Sequence, residues 1–331
     1  MRHRVATIGS LTRDIFIRPR RQEQCTIHGE EHIAFCVGDK IRITEKHETF
    51  GGGGGNVAVG LKRFGIDDVA VIGSIGEDEN GEKIIHHLHN EGVNTKYVQR
   101  KGEMQSGFSV ILSEKSGRRV VFYHSGANAA LQHLETALLP HFSVLCIGHI
   151  ANASDEIFRG VARHLHSHPN IFISWNPGRD VLEKGIAHFS DFLSRVDLLL
   201  LNKEEAQLFT RKNRYEEIFS ALYGNGMQKN TIITDSTNGA YGCDGKQLFF
   251  CPIFAEKQQR KDTLGAGDSF LSGAVGGILT GKKLPDAMKY GTINAAFVVS
   301  HFGAQHGLQT ETELQKYMSD ISVEELPFSL F

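Results

Sequence analysis

The stretch Asp262-Thr-Leu-Gly-Ala-Gly-Asp-Ser-Phe270 decides how this chain is read. Three small residues, Gly265, Ala266 and Gly267, stand directly before an Asp that opens a long apolar run, 270–279. Small residues let the backbone turn tightly with its N–H groups open, and a helix starting there adds its positive dipole end. The segment therefore predicts an anion site. Asp268 stands at the mouth of it. A phosphate cradle beside a carboxylate points to phosphoryl transfer onto a hydroxyl, with Asp268 as the base that takes the proton. The same dipole predicts that Asp268 stays ionised.

Upstream of this stretch, apolar runs at 144–147, 171–174, 197–201 and 231–234 read as buried strands. Helical spacing near 154–167, 203–210 and 215–223 separates them. Such alternation predicts an α/β fold, a mostly parallel sheet with helices on both faces. Towards the N-terminus the pattern continues with a strand at 5–9, a helix at 56–64 ended by Gly65, a strand at 69–75 and a helix at 80–90. Residues 15–50 break the alternation with short, polar, strand-like pieces. The runs 108–112 and 119–123 read as a hairpin closed by Glu114-Lys-Ser-Gly117. These exceptions suggest a small β lid, from about 15–50 and 97–124, on a single domain spanning 1–331.

Composition removes several function classes. Lys plus Arg number 36 against 38 for Asp plus Glu, so neither a nucleic-acid footprint nor a membrane-binding face is implied. Cys25, Cys36, Cys146, Cys243 and Cys251 form no C-x-x-C pair, which argues against zinc ribbons and disulfide scaffolds and for a cytoplasmic protein. The N-terminus lacks the apolar core of a signal peptide, and no apolar run approaches a membrane span. His86, His87 and His89 lie on a polar helix with no Cys or carboxylate constellation, and read as a solvated face.

Several further segments carry two readings. Phe50-Gly-Gly-Gly-Gly-Gly-Asn56 contains G-x-G-x-x-A, but polar residues precede it where a dinucleotide site needs a buried strand. A flexible linker does not suit the apolar helix that follows. Close approach of backbone to a ligand, with Asn56 as donor and acceptor, is the reading preferred. Gly276-Gly-Ile-Leu-Thr-Gly-Lys-Lys283 nearly matches a P-loop but lacks its hydroxyl and ends a helix. Asn202-Lys-Glu-Glu205 is either a helix cap or an Asn/Glu pair facing hydrated magnesium at a strand end. Thr234-Asp-Ser-Thr-Asn-Gly239 is either a plain turn or the border of a nucleotide site.

In this order, the pieces resemble the ribokinase-like (PfkB) family of carbohydrate and nucleoside kinases. The likeness runs through Gly9-Ser-Leu-Thr-Arg-Asp14, Gly51–Asn56, Gly126-Ala-Asn128, Asn202-x-x-Glu205, 234–239, Asp262–Asp268 and Gly303-Ala-Gln305. It implies an ATP-dependent, Mg2+-requiring kinase acting on a sugar or sugar-like hydroxyl. Asp268 would be the general base, and the backbone of Gly265, Ala266 and Gly267 the anion hole. Asp14, Gly52, Gly53 and Asn56 would hold the substrate. Asn202, Thr234, Gly239 and Thr292 would border the nucleotide. Glu205 would meet magnesium through water, and Asp262 a monovalent cation such as K+.

Ser236 and Thr292 depart from what many relatives carry at the nucleotide, and His149 stands about where ribokinases have a substrate-facing Glu. Arg13, Phe108 and His149 are candidate specificity residues. A nucleoside kinase of the same family is one alternative, and a non-catalytic sugar- or nucleotide-binding regulator is another. A dinucleotide oxidoreductase is a third, weakened by the residues before Gly51. Alternation of Ile33, Phe35 and Val37 presents an apolar face that predicts a homodimer paired through the lid.

Overall fold

A strand that is apolar on both sides needs helices on both sides, and Arg4–Ile8 is such a strand. The computed structural model describes residues 3–327 apart from 21–22, 28–29, 114–118, 132–133, 135, 152–154 and 255–260. Val5 packs with Val69, Val71, Val144 and Leu198 beneath the helices Gly53–Phe64, Ala266–Leu279 and Leu284–Val299. Ala6 and Ile8 face the opposite layer with Ile72, Leu145 and Leu199, under Asp155–Ser167, Lys203–Thr210 and Tyr215–Gly224. The period of two along each strand thus divides the core into two layers.

Ten strands form the main sheet. Across it run Glu324–Leu326, Leu248–Cys251, Ala240–Cys243, Asn230–Thr234, Leu198–Asn202, Phe172–Trp175, Val144–Ile147, Arg4–Ile8, Asp68–Gly76 and Val98–Lys101. The first three pairings in this order are antiparallel and the rest parallel. The α/β expectation holds. No helix among the described residues is long and apolar enough to cross a membrane.

The lid is a four-stranded sheet in the order Ile43–Gly51, Thr12–Pro19, Gly107–Ser113, Arg119–His124. A separate hairpin pairs Glu23–Ile27 with Glu30–Ala34. Two expectations need correction. The lid does not begin at 97, because Val98–Lys101 pairs with Gly73–Gly76 on the main sheet. Nor do Ile33, Phe35 and Val37 form one strand face: the strand ends at Ala34, and Val37 is wholly exposed beyond it. The hairpin pairing of 108–112 with 119–123 is present, while its turn at 114–117 lies outside the described residues.

The two helices behind Asp268 touch backbone to backbone. A methyl on Gly273 would lie 2.7 Å from the Tyr290 carbonyl oxygen, and one on Gly291 2.7 Å from the Phe270 ring. Gly276 meets the Phe64 ring, and Gly281 at φ +85° follows the helix end. The near P-loop is therefore helix packing and a helix stop.

Candidate active site

One half of the candidate site is built where the chain leaves Arg4–Ile8 and enters the four-stranded sheet at Thr12. Asn128 grips this crossing: its Nδ2 donates to the Leu11 carbonyl at 2.9 Å and its Oδ1 accepts the Leu11 N–H at 2.8 Å. That accounts for the Gly126-Ala-Asn128 motif. Three residues on, Asp14 is buried, and Ser109 Oγ donates to its Oδ1 at 2.6 Å. Burial pushes the Asp14 carboxyl above its ordinary range, the hydroxyls of Ser109 and Thr12 pull it back, and Asp262 adds a smaller upward push.

The glycine run is not a loose loop. Gly53, Gly54 and Gly55 are the first turn of the helix Gly53–Phe64. Ser10 caps it from a distance, accepting the Gly53 N–H on its hydroxyl at 3.1 Å and the Gly55 N–H on its carbonyl at 3.3 Å. A methyl on Gly52 would lie 2.4 Å from the Ser10 oxygen, and one on Gly51 2.1 Å from Asp14 Oδ2. Part of the requirement for glycine thus comes from the protein's own close approaches rather than from a ligand. Gly53 retains room above it, ending 3.5 Å from Asp268 Oδ1.

Asp268 lies in the first turn of Ala266–Leu279, behind Gly265 at φ +76°. Asn56 Nδ2 donates to its Oδ2 at 2.7 Å. Burial pushes the Asp268 carboxyl up, and the Asn56 bond only partly offsets it. At the start of this helix, Ala266 N–H closes a turn on the Thr263 oxygen at 3.3 Å, and the first intrahelical bond belongs to Ser269 N–H. Among the described residues, the N–H groups of Gly267 and Asp268 have no protein partner. Gly267 has nothing within 4 Å of where a side chain would start.

On the other side of Asp268 opens a cleft of about 540 Å³. It is lined by Asn202, Thr234, Ser236, Gly239, Gly267 and Thr292, over an apolar floor that includes Phe254, Phe270 and Ala295. Gly239 is required by its own fold, since φ is +89° and a methyl would lie 2.5 Å from the Cys251 oxygen. Ser236 adopts φ +48°, a left-handed conformation that suits glycine better. Lys203 Nζ and Tyr215 OH each hold Asp235 at 2.8 Å and so fix this turn; neither residue carried a sequence signal. The Thr292 hydroxyl is 3.3 Å from Cys251 Sγ.

Asn202 and Glu205 cap each other: Glu205 N–H donates to Asn202 Oδ1, and Asn202 N–H to Glu205 Oε2, both at 2.8 Å. The helix-cap reading is therefore correct, and it leaves the other Glu205 oxygen uncommitted among these bonds. Burial pushes the Glu205 carboxyl up, with the charges of Asp268 and Glu204 adding to it. Glu205 is thus a carboxylate that could meet a divalent cation. Asp262 does not suit a monovalent cation in the same way. Its Oδ1 accepts from Leu264 N–H and from Arg119 Nη1, both at 3.0 Å, and its Oδ2 accepts from Gly303 N–H at 3.2 Å. The Arg119 guanidinium, reaching across from the lid, already supplies the positive charge.

Strand alternation corrects two specificity candidates. Arg13 points to the lid face opposite Asp14, where it donates to Asn80 Oδ1 at 2.6 Å and pairs with Glu48; Phe108 is its register partner. His149 is half-exposed beyond Val144–Ile147, its Nε2 3.5 Å from Asp180. The histidine trio is not uniformly solvated either. His86 and His89 are exposed, while His87 turns inward, stacks on Phe50 at 4.3 Å and bonds Gln305 Oε1 at 2.7 Å.

Fold and site together define an α/β phosphotransferase with an alcohol acceptor. Residues 22–311 match the pfkB family of carbohydrate kinases, and the chain belongs to that family. It is 25% identical over 317 residues to the ribokinase of Bacillus subtilis, covering 95% of this chain and 99% of that enzyme. The nucleoside kinase structure from Methanocaldococcus jannaschii superposes with a TM-score of 0.77 at 19% identity, covering 96% of this chain and 98% of that one. The Arabidopsis thaliana ribokinase complexed with ribose and ATP gives a TM-score of 0.77 at 19% identity, covering 96% and 99%.

Proposed function

We propose that this protein transfers the γ-phosphoryl group of ATP to a hydroxyl of a sugar, free or within a nucleoside. The carrying observation is that two unlike spaces meet at Asp268. One is a polar corner closed by buried Asp14; the other is a cleft with an apolar floor and polar rim. Residues 51–56 join them, since Gly51 abuts Asp14 and Gly53 abuts Asp268.

In this reading the carboxylate of Asp14 accepts acceptor hydroxyls, with Gly52, Gly53 and Asn56 bounding the corner. Asp268 takes the proton of the reacting hydroxyl on Oδ1 while Asn56 holds Oδ2. A carboxyl raised by burial is the stronger base. The open N–H groups of Gly267 and Asp268, at the start of Ala266–Leu279 behind the turn at Gly265 and Ala266, stabilise the charge that develops on the transferred phosphoryl. Asn202, Thr234, Gly239 and Thr292 receive the nucleotide. Glu205 would hold magnesium through its water shell; bound there, the ion offsets phosphate charge. The lid strands exclude water from the acceptor, which limits hydrolysis of ATP.

The chain is read as one domain with lid strands from 12–51 and 107–124. A cytoplasmic setting suits its five unpaired cysteines. Arg119–His124 is the lid's edge strand and exposes Val120, Phe122 and Tyr123, which supports a homodimer joined through the lid. The test of function is ADP release with ATP and magnesium across pentoses, hexoses, sugar acids and nucleosides. Acceptor-dependent ADP is expected; ligand binding without ADP from any acceptor would favour the non-catalytic regulator.

A further inference from the structure

We propose that His87 is a positioning residue for Asp268, acting through the side-chain amides of Gln305 and Asn56. The proposal rests on Asp268 being the base of the reading above.

Four groups far apart in sequence form one line. Asn56 Nδ2 donates to Asp268 Oδ2 at 2.7 Å, Gln305 Nε2 donates to Asn56 Oδ1 at 2.9 Å, and His87 Nε2 lies 2.7 Å from Gln305 Oε1. Both amides are buried, so each end of each amide needs its partner within the protein. An ionised carboxylate only accepts, so Asn56 must turn its NH2 to Asp268 and its oxygen to Gln305. That oxygen then needs the NH2 of Gln305, which leaves Gln305 Oε1 facing the ring. His87 must therefore carry a proton on Nε2. The reversed line, with both amides flipped, needs a proton on Asp268 and a bare Nε2 on His87. The Nε2 proton of His87 and the ionised state of Asp268 belong to the same arrangement.

The surroundings hold the ring in place for this. It stacks on Phe50 with an interplanar angle of 12°. Arg63 pairs with Glu91 through two bonds of 2.8 and 2.6 Å and donates to the Gln305 carbonyl at 2.5 Å, fixing the backbone from which Gln305 extends. The charged and titratable groups facing the ring are Glu91, Arg63 and His306. Burial holds the His87 imidazole below its usual range, so the neutral ring's choice of tautomer decides the direction of the line. With Asp268 Oδ2 occupied by Asn56, Oδ1 beside Gly53 stays available to the acceptor hydroxyl.

Three variants and one spectrum test this. His87→Phe keeps an aromatic ring against Phe50 but has no donor, and His87→Gln restores an N–H. With the acceptor that scores in the ADP panel, His87→Phe should lower kcat at neutral pH by about 2- to 10-fold, the factor equivalent to one hydrogen bond of ordinary net strength. Its acid limb should move to higher pH, KM for ATP should stay unchanged, and His87→Gln should recover most of the loss. In nitrogen-15 spectra of the full-length wild-type chain without substrate, His87 should be the Nε2–H tautomer, and that preference should weaken in Asp268→Asn. A proton on Nδ1 in the wild type would overturn the proposal. So would loss of turnover in Asp268→Asn together with wild-type kcat and pH profile in His87→Phe, while the base reading would stand. Turnover that survives Asp268→Asn would overturn the base reading and this proposal with it.

Discussion

Burying Asp268 costs the protein stability and, in the proposed function, strengthens the base. Its raised pKa means that the folded chain holds the proton more tightly than the unfolded chain. Stability from this group therefore falls as pH rises from the ordinary carboxylate range through the raised value. Asp268→Asn should accordingly lower kcat by roughly 10²- to 10⁴-fold with ATP affinity intact, yet raise Tm at neutral pH. Calorimetry should show that gain vanish once pH drops below the ordinary carboxylate range; a lower Tm at neutral pH would contradict the burial argument. Asp14→Ala should weaken acceptor binding and spare the nucleotide, because each charged hydrogen bond lost is worth about 1.5–3 kcal/mol. Isothermal titration with the acceptor and with ATP separates the two. At this scale glycine neighbours pointed to Asn56 and Asp268, and the family resemblance pointed to Asp14. Ser109, His87 and Arg119 carried no such mark, because nothing local says which lid face or which distant partner a polar side chain will meet.

The element that matters most is the helix Ala266–Leu279, whose glycines do different work along its length. Gly273→Ala would drive a methyl to 2.7 Å from the Tyr290 carbonyl oxygen, a backbone atom that cannot swing away. Overpacking of this kind costs roughly 1–3 kcal/mol, and the gain of about 1 kcal/mol in helix propensity offsets it only at the lower end of that range. A net loss in Tm is therefore expected, read by thermal melts. Gly267→Ala meets nothing within 4 Å, so its Tm should hold or rise. The same methyl sits at the open helix start, and KM for ATP or kcat should worsen despite the stability gained. This pair separates packing from cradle. The sequence located the helix and its start; it offered no distinction between Gly267 and Gly273, since that depends on how closely Leu284–Val299 approaches.

For the whole molecule, the lid is both a cover and an edge. Arg119 ties it to Asp262 and to Thr263 Oγ1, the latter at 2.7 Å, beside the anion hole. Because a guanidinium already supplies the charge there, replacing K+ by tetramethylammonium should change kcat by less than about twofold, below the effect of one ordinary hydrogen bond; steep K+ activation in a steady-state assay would contradict it. On the outer lid face, Val120 and Phe122 of the edge strand are 40% and 60% exposed, far from what a free edge tolerates. Val120→Lys with Phe122→Lys should convert a dimer to monomers in sedimentation without loss of the fold by circular dichroism. A wild-type chain that sediments as a monomer at micromolar concentration would remove the paired lid and leave the kinase reading untouched.

By itself the sequence determined the α/β layering, the helix that begins after Gly265 and the family. The layering and the helix start follow from periodicity and from small residues next to Asp268, which are local properties of the chain, while the family shows in the resemblance carried by the order of its motifs. Only the tertiary structure decided the rest. It turned Arg13 away from Asp14 by strand alternation, assigned Val98–Lys101 to the main sheet, and set Arg119 against Asp262 across 143 positions. It also joined His87, Gln305, Asn56 and Asp268, with separations of 218, 249 and 212 residues along that line. Hydrogen-bond partners at such distances are chosen by how layers and sheets pack, and packing leaves no trace in the residues on either side of a single histidine.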